Sequence, residues 1–313
     1  MSAPGFPLST RKALGPQAGL VALAAFLWGL WPIFLGASGL AGRQSALVVF
    51  AVMMLPGPFV FSRAAWRNRR ATLALVAVGV LDAGNVIFYF SALERGPVVV
   101  AVLTHYLAPV MVALTAPWLL GEPLSRRAVW AAPVILAGLA LVVGPGQAET
   151  ALITAALGAA SAVCYALLVI FSKRAATAWS PLGVTALRAP VSLGVVLVCF
   201  GSSALPTRLD AGLGMMILGA LLCGLTAVTI FNVGLRTVPA HLAGVLTYLE
   251  PVVVAGVGIA WLNQPLGWLG ASGAGLMLAA GVWVAREKPD ALSFSAPGSA
   301  RPPRPAPPVR STR

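Results

Sequence analysis

The sequence predicts an all-α integral membrane protein, with ten transmembrane helices arranged as two inverted repeats of five. Three observations predict this class: the composition, a series of apolar stretches, and an internal duplication. Of the 313 residues, 59% are hydrophobic and only 9% are charged. In soluble domains about a quarter of the residues are charged.

Ten apolar stretches follow one another, and each is long enough to cross a hydrocarbon layer of ~30 Å as a helix. The runs are continuous rather than alternating, which argues against the strands of a membrane barrel. Ten consecutive runs also argue against a soluble protein with deeply buried helices. The predicted spans are 17–36, 44–62, 72–92, 98–119, 128–145, 151–172, 182–200, 212–234, 239–261 and 267–285.

The formal charge of +13 does not indicate nucleic-acid binding, because the basic residues cluster in alternate connectors. Cytoplasmic loops carry such an excess of Lys and Arg, so both termini are predicted to be cytoplasmic. An even number of spans agrees with that topology. We expect a multi-pass protein of the cytoplasmic (inner) membrane, since the Ala- and Arg-rich composition is typical of bacteria.

The two ends of the chain are predicted to lie outside the helical bundle. The first apolar run is too long for a signal peptide, so it is interpreted as an uncleaved first helix after a cytoplasmic segment, 1–16. The Pro- and Arg-rich tail, 286–313, is predicted to be disordered and solvated, with attraction to anionic lipid as the alternative.

Two similar phrases, "VLTHYLAPV" (102–110) and "VLTYLEPV" (245–252), reveal the duplication. An offset of 142 residues aligns Pro109 with Pro251 and Tyr106 with Tyr248 without a gap. The chain therefore divides into a first repeat, 17–145, and a second repeat, 151–285. Because each contains five spans, the second must enter the membrane from the opposite side. Inverted repeats are typical of transporters with a midplane substrate site; a passive scaffold is the alternative.

Several further motifs are present, and all but the first have counterparts in both halves. They are Trp28-Gly29 in span one, Arg43 and Arg188 in spans two and seven, "FYFSALERGP" (88–97), "TIFNVGLRTVP" (229–239), "GEPL" (121–124) and "NQPL" (263–266). The pattern resembles the EamA family of the drug/metabolite transporter superfamily over about 17–285. Asn263 and Gln264 depart from the family pattern at a helix end, where we expect no functional consequence.

This resemblance implies that spans one to four and six to nine surround a central cavity, with spans five and ten outside it. It also implies a small-molecule substrate, an amino acid or related compound, and export. Spans five and ten are associated with a homodimer contact.

Small residues recur every four positions in spans six and ten, which predicts close helix packing. They are Thr154, Gly158, Ala162 and Ala166 in span six, and Gly267, Ala271, Gly275 and Ala279 in span ten.

Glu250, in the middle of span nine, is the strongest candidate for a functional side chain, because ionisable groups inside a membrane are costly. Pro251 follows it and should free the carbonyl of Thr247 from the helix ladder. In the functional interpretation Glu250 contacts a substrate amine or carries a proton. In the structural alternative it forms a buried ion pair with Arg188 or with neighbours of Asp82.

Other polar groups within the spans are further candidates for the cavity. Asp82 and Asn85 share one face of span three. Arg188 either neutralises a substrate carboxylate or pairs with Glu250. His105 is either a packing residue or part of a proton relay.

Aromatic side chains complete the cavity candidates. Tyr106 and Tyr248 should face each other across the pseudo-axis, while Trp118 and Trp130 fit an interfacial belt. Pro109 and Pro251 are predicted helix kinks. The cavity candidates are Trp28, Tyr89, Tyr106 and Tyr248, with Trp31 and Tyr165 beside them.

Enzymatic chemistry and cofactors are not predicted. The sequence has no phosphate-binding "GxxxxGK[ST]", no "HExxH" and no "GxSxG", and its three cysteines lie within apolar spans as packing residues. Transport would use an ion or substrate gradient, with proton coupling as one option. A non-transporting membrane sensor or assembly component, with the basic tail as its interaction element, is the alternative function.

Overall fold

The computed structural model describes residues 16–95, 98–122, 124, 126–143, 151–261 and 267–285. Within these ranges the chain is helical and contains no strand, which confirms the all-α class. The predicted terminal segments lie outside the described residues. The helices are α1 (Pro16–Trp28), α2 (Trp31–Ser38), α3 (Gly42–Met54), α4 (Gly57–Val60), α5 (Arg63–Arg67), α6 (Arg69–Arg95), α7 (Val98–His105), α8 (Ala108–Leu120), α9 (Arg126–Val143), α10 (Ala151–Ala175), α11 (Pro181–Phe200), α12 (Ala211–Gly219), α13 (Ala227–Leu235), α14 (Ala240–Leu246), α15 (Leu249–Ala260) and α16 (Trp268–Ala285). A 3₁₀ turn (Gly201–Ala204) follows α11, and a π-helical segment (Ala220–Thr226) joins α12 to α13.

Five helical segments are long and apolar enough to cross a membrane, and they coincide with predicted spans one, three, six, seven and eight. They are Pro16–Ser38, Arg69–Ala92, Leu152–Ala175, Pro181–Ala204 and Ala211–Leu235. The other five predicted spans correspond to shorter apolar helices: Gly42–Met54, Ala108–Leu120, Val129–Gly138, Ala240–Val254 and Trp268–Val284. The chain is thus a multi-pass membrane protein, and the described residues contain five clear spans.

Spans four and nine are broken helices rather than kinked ones. In span four α7 ends at His105 and α8 begins at Ala108, and span nine breaks in the same way between α14 and α15. Pro109 and Pro251 each lie in the first turn of the second piece, because proline cannot continue the ladder of the first. The sequence predicted that Pro251 frees the carbonyl of Thr247, and this prediction is wrong. The carbonyl accepts a hydrogen bond from the Glu250 backbone N–H at 3.0 Å.

The corresponding spans of the two halves run in opposite directions. Glu122, just after the end of α8, accepts a hydrogen bond from the backbone N–H of Ala240 at the start of α14, at 2.7 Å. Span four therefore ends where span nine begins. Likewise Arg43 Nε, at the start of α3, donates to the carbonyl of Ser203 beyond the end of α11, at 3.0 Å.

Packing between the halves is reciprocal. Helix α10 packs against α6, α7 and α8, and α1 packs against α13, α14 and α15. The first span of each half thus contacts the third and fourth spans of the other half. Helices α9 and α16, the fifth spans, pack mainly against each other.

The two stripes of small residues have different surroundings. On α10 the stripe is buried, and Gly158 approaches α7 so closely that a Cβ there would lie 2.9 Å from the carbonyl oxygen of Ala101. On α16 the stripe Gly267, Ala271, Gly275 and Ala279 is exposed, while Gly273 and Met277 face α9. The α16 stripe therefore does not pack against the described part of its own chain.

Candidate functional site

A pocket lies where the broken helices of spans four and nine meet α10. Its cavity volume is only about 10 Å³, room for about one water molecule and far below the ~300–1,000 Å³ of ordinary ligand pockets. The bundle is thus nearly closed around it. The lining residues are His105, Tyr106, Ala108, Pro109, Tyr165, Thr247 and Glu250.

The two repeat-related tyrosines join the helix breaks. Their rings are stacked at 6.1 Å between centroids, and the Tyr248 hydroxyl donates to the Tyr106 carbonyl at 2.9 Å. Tyr106 faces the pocket, whereas Tyr248 lies in a smaller space on the side of α9, beside Ala132 and Ile135. The pair therefore faces across the pseudo-axis, and only Tyr106 lines the pocket.

His105 belongs to a hydrogen-bonded chain that crosses from the first half to the second. Its Nδ1 lies 2.9 Å from the Ser161 hydroxyl. Ser161 in turn donates to Asn85, whose Oδ1 is at 2.8 Å and whose carbonyl is at 2.9 Å. Ser161 has one hydrogen, so the His105 Nδ1–H is the donor in this arrangement. The Tyr89 ring stacks against His105 at 4.4 Å.

Glu250 extends into this pocket with few polar partners. The Tyr106 side chain interacts with its carboxyl group, and the described residues provide no ion pair for it. Its backbone is close to span one, because a Cβ on Gly29 would lie 3.0 Å from the Glu250 carbonyl oxygen. Residue 29 must therefore be small for span one to pack against the start of α15.

Arg188 pairs with Asp82, so the alternative in which it pairs with Glu250 is wrong. The guanidinium Nη2 lies 3.0 Å from the Asp82 carboxylate, and the two residues are 3% and 7% exposed. The neighbouring turn of α11 is fixed by Ser192, whose hydroxyl donates to the Gly79 carbonyl at 2.9 Å. Arg188 Nε has no hydrogen-bond partner among the described residues.

Trp28 lies against span eight rather than in the pocket. Its indole N–H donates to the Cys223 carbonyl at 3.0 Å, and its ring lies 5.2 Å from that of Phe231. Trp118 and Trp130 are 82% and 71% exposed, as an interfacial position requires.

The structure therefore brings some of the sequence candidates together and separates others. Glu250, His105 and Tyr106 line one pocket, with Tyr89 and Asn85 directly behind His105. The sequence reasoning missed Ser161. Its only signal is the spacing of four residues from Tyr165, which puts both side chains on one face of α10.

A second polar cluster lies at the end of the bundle. Glu122 forms a salt bridge with Lys173 and lies 3.7 Å from His241 Nδ1. Lys173 also donates to the carbonyl of Val238 at 2.9 Å. Burial acts to raise the pKa of Glu122, but His241, Lys173 and the Ala240 N–H outweigh it and lower that pKa below its ordinary value of 4.5.

Metal ligands are not assembled in the described part of the chain. No group of three or more His, Cys, Asp or Glu side chains there could hold a metal ion. Cys164, Cys199 and Cys223 are unpaired thiols.

Apolar spans, antiparallel halves and a polar pocket between broken helices together define a membrane transporter of the inverted-repeat class. The model of the EamA-like transporter family matches residues 17–144 and again residues 152–286. The chain belongs to this family.

Two further comparisons agree with this assignment. An uncharacterized transporter of Archaeoglobus fulgidus is 28% identical over 216 residues, which cover 69% of this chain and 77% of the relative. The crystal structure of a protein that is 22% identical superposes with a TM-score of 0.72, over 87% of this chain and 97% of that chain. The second likeness concerns the fold alone.

Proposed function

We propose that this chain is a secondary transporter that exports a small metabolite, an amino acid or a related compound, across the cytoplasmic membrane. The observation that carries the proposal is Glu250, a carboxyl group at the break of span nine that lines a pocket between the two halves. Substrate class and direction rest on the resemblance to the family. The proposed topology has ten crossings and two cytoplasmic termini.

The position of the pocket supports a mechanism of alternating access. A site between inverted halves opens to one side and then the other when the halves rock against each other. Glu250 contacts the substrate or carries the coupling proton. At the proposed cytoplasmic end, the cluster around Glu122 links the end of α8 to the start of α14, so opening towards the cytoplasm requires these contacts to separate.

We propose a homodimer through spans five and ten. The exposed stripe of small residues on α16 supports it, because such residues let two helices approach closely. Crosslinking of the Gly275→Cys variant would join two copies in the membrane. Monomers alone, with chemical labelling of the introduced thiol confirmed, would contradict the dimer.

Transport is tested with the full chain in sealed vesicles. We expect entry or counterflow of at least one small metabolite from a panel of amino acids and related compounds, above empty vesicles. Deleting residues 288–313 should leave that activity intact. Movement of no solute by folded protein would contradict transport, and loss of the cellular role on deleting the tail would favour a sensor or assembly component.

The inverted topology is tested by labelling single cysteines in a variant without the native thiols. Exposed positions Arg126 and Trp268 follow spans four and nine. An impermeant thiol reagent added outside intact cells should label the Trp268→Cys variant and leave the Arg126→Cys variant unlabelled. Labelling of both variants from the same side would contradict the proposed arrangement.

A further inference from the structure

All four tyrosines of the chain surround the same point of the bundle. Tyr106 and Tyr165 line the pocket, Tyr89 stacks on the ring of His105, and Tyr248 stacks on Tyr106. Tyrosine in membrane proteins is enriched in belts at the two interfaces. Its confinement to the interior here indicates that these rings serve the pocket.

The carboxyl group at the centre of this aromatic shell lacks a countercharge in the described part of the chain. His105 also lines the pocket, but its Nδ1 is engaged by Ser161, and it forms no ion pair with Glu250. A buried carboxylate without a cation is costly. The pocket is therefore complementary to a positive charge.

The other basic side chains near the helix breaks are already engaged. Arg188 lies at 3.0 Å from the Asp82 carboxylate, and Lys173 pairs with Glu122 at the end of the bundle. A substrate carboxylate placed beside Arg188 would also lie beside Asp82. Among the described residues around the pocket, no unpaired arginine or lysine is thus available to neutralise an anionic group.

We propose that this pocket binds a small organic ammonium ion, whose charge is balanced by Glu250 and whose faces are covered by the rings of Tyr106 and Tyr165. Cations bind favourably over the faces of aromatic rings, most strongly where water is excluded. The Tyr165 hydroxyl oxygen is buried beside the pocket and can accept a hydrogen bond from the ammonium group.

This inference rests on the proposed function and narrows its substrate class. A zwitterionic amino acid carries a carboxylate, for which the pocket offers no partner. The corresponding amine carries no carboxylate. Amines should therefore be preferred over the amino acids from which they differ by the carboxylate alone.

Matched pairs of ligands test the preference directly. Isopentylamine is compared with leucine, and phenethylamine with phenylalanine, by thermal shift and tryptophan fluorescence on the purified full chain. We expect each amine to bind at least tenfold more tightly than its amino acid. Equal or tighter binding of the amino acids would overturn the inference.

Three variants identify the site. Glu250→Gln should weaken isopentylamine binding at least tenfold, and Tyr165→Leu about fivefold, because it removes a cation–π face. Asp210→Asn, at an exposed carboxylate far from the pocket, should leave the affinity unchanged. Wild-type amine affinity in Glu250→Gln would overturn the inference; if that variant does not fold, wild-type affinity in Tyr165→Leu would do so.

The same preparations separate this inference from the proposed function. Amine binding that depends on Glu250, in vesicles that move no solute, would support the site and contradict transport. Accumulation of amino acids in vesicles, by a protein that neither binds nor moves the amines, would support transport and overturn the ammonium site.

Discussion

Two glutamates of this chain are withdrawn from water in very different surroundings. Glu122, at the end of the bundle, has a salt bridge with Lys173 and a backbone hydrogen bond from Ala240 at 2.7 Å. Glu250, at the break of span nine, faces tyrosine and histidine side chains and has no ion pair among the described residues. Burial alone therefore does not distinguish a structural carboxylate from a functional one, whereas its partners do.

The difference has an energetic meaning. A buried charge with several partners is compensated, so removing one of the partners is costly. A buried charge without a partner is a cost to the fold, and in membrane proteins such groups mark substrate and proton pathways. The cluster around Glu122 should thus respond in stability when mutated, and the pocket around Glu250 should respond in transport.

The largest effect is expected from Glu250→Gln, which removes the charge and keeps the shape. Transport should fall to the level of empty vesicles, a loss of about 1,000-fold, since truncating a buried charged contact costs ~2–5 kcal/mol. The protein should remain in the membrane and unfold at the wild-type temperature or above it. Vesicle assays and thermal unfolding check both points; loss of expression would favour a structural role instead.

The Asp82–Arg188 pair provides an intermediate case. Asp82→Asn leaves a buried, uncompensated guanidinium group and should lower the free energy of unfolding by about 3–5 kcal/mol. Asp82→Leu combined with Arg188→Met removes both charges and should recover most of that loss. Chemical unfolding in detergent measures both variants. A double variant that is no more stable than Asp82→Asn would show that the pair is not the source of the effect.

Much of the architecture was predictable because it leaves periodic or repeated signals. Continuous apolar runs predict helices across a membrane, and the offset that aligns Pro109 with Pro251 predicts two halves of opposite direction. The hydrogen bond from Ala240 to Glu122 shows this antiparallel relation for spans four and nine. Glu250 was recognisable for a related reason: an acidic residue in a repeated apolar phrase is costly.

Contacts between spans left no such signal. Arg188 could have paired with Glu250 or with Asp82, and sequence spacing does not determine which of several spans lies beside it. Ser161 is one small residue among many on α10, yet its hydroxyl orients His105 at 2.9 Å. The stripes of α10 and α16 have the same spacing, but only the packing of the bundle shows that one is buried and the other exposed.

Glu122→Gln tests whether the paired glutamate at the end of the bundle has a structural role. The variant loses the charge that faces Lys173 and His241, so the free energy of unfolding should fall by about 2 kcal/mol, the range of hydrogen bonds to charged groups. Transport should persist. Asp210→Asn is the matched control, because asparagine also accepts the hydrogen bond from the Leu213 N–H that caps α12. If Glu122→Gln and Asp210→Asn lowered the free energy of unfolding equally, the cluster around Glu122 would not differ from an exposed carboxylate.

The smallest effect is the pH dependence of the difference in unfolding free energy between wild type and Glu122→Gln. The pKa of Glu122 is lower in the folded chain than its ordinary value of 4.5, so as the pH falls the unfolded chain binds the proton first. The stabilisation by Glu122 is therefore complete above about pH 4.5 and is lost as the pH falls through the lowered pKa of the folded state. The difference in unfolding free energy between wild type and Glu122→Gln should begin to shrink as the pH falls below about 4.5, and it should shrink further until the folded chain also binds the proton. A difference that stays constant down to about pH 3.5 would mean that the contacts of Lys173 and His241 do not stabilise the charged form of Glu122.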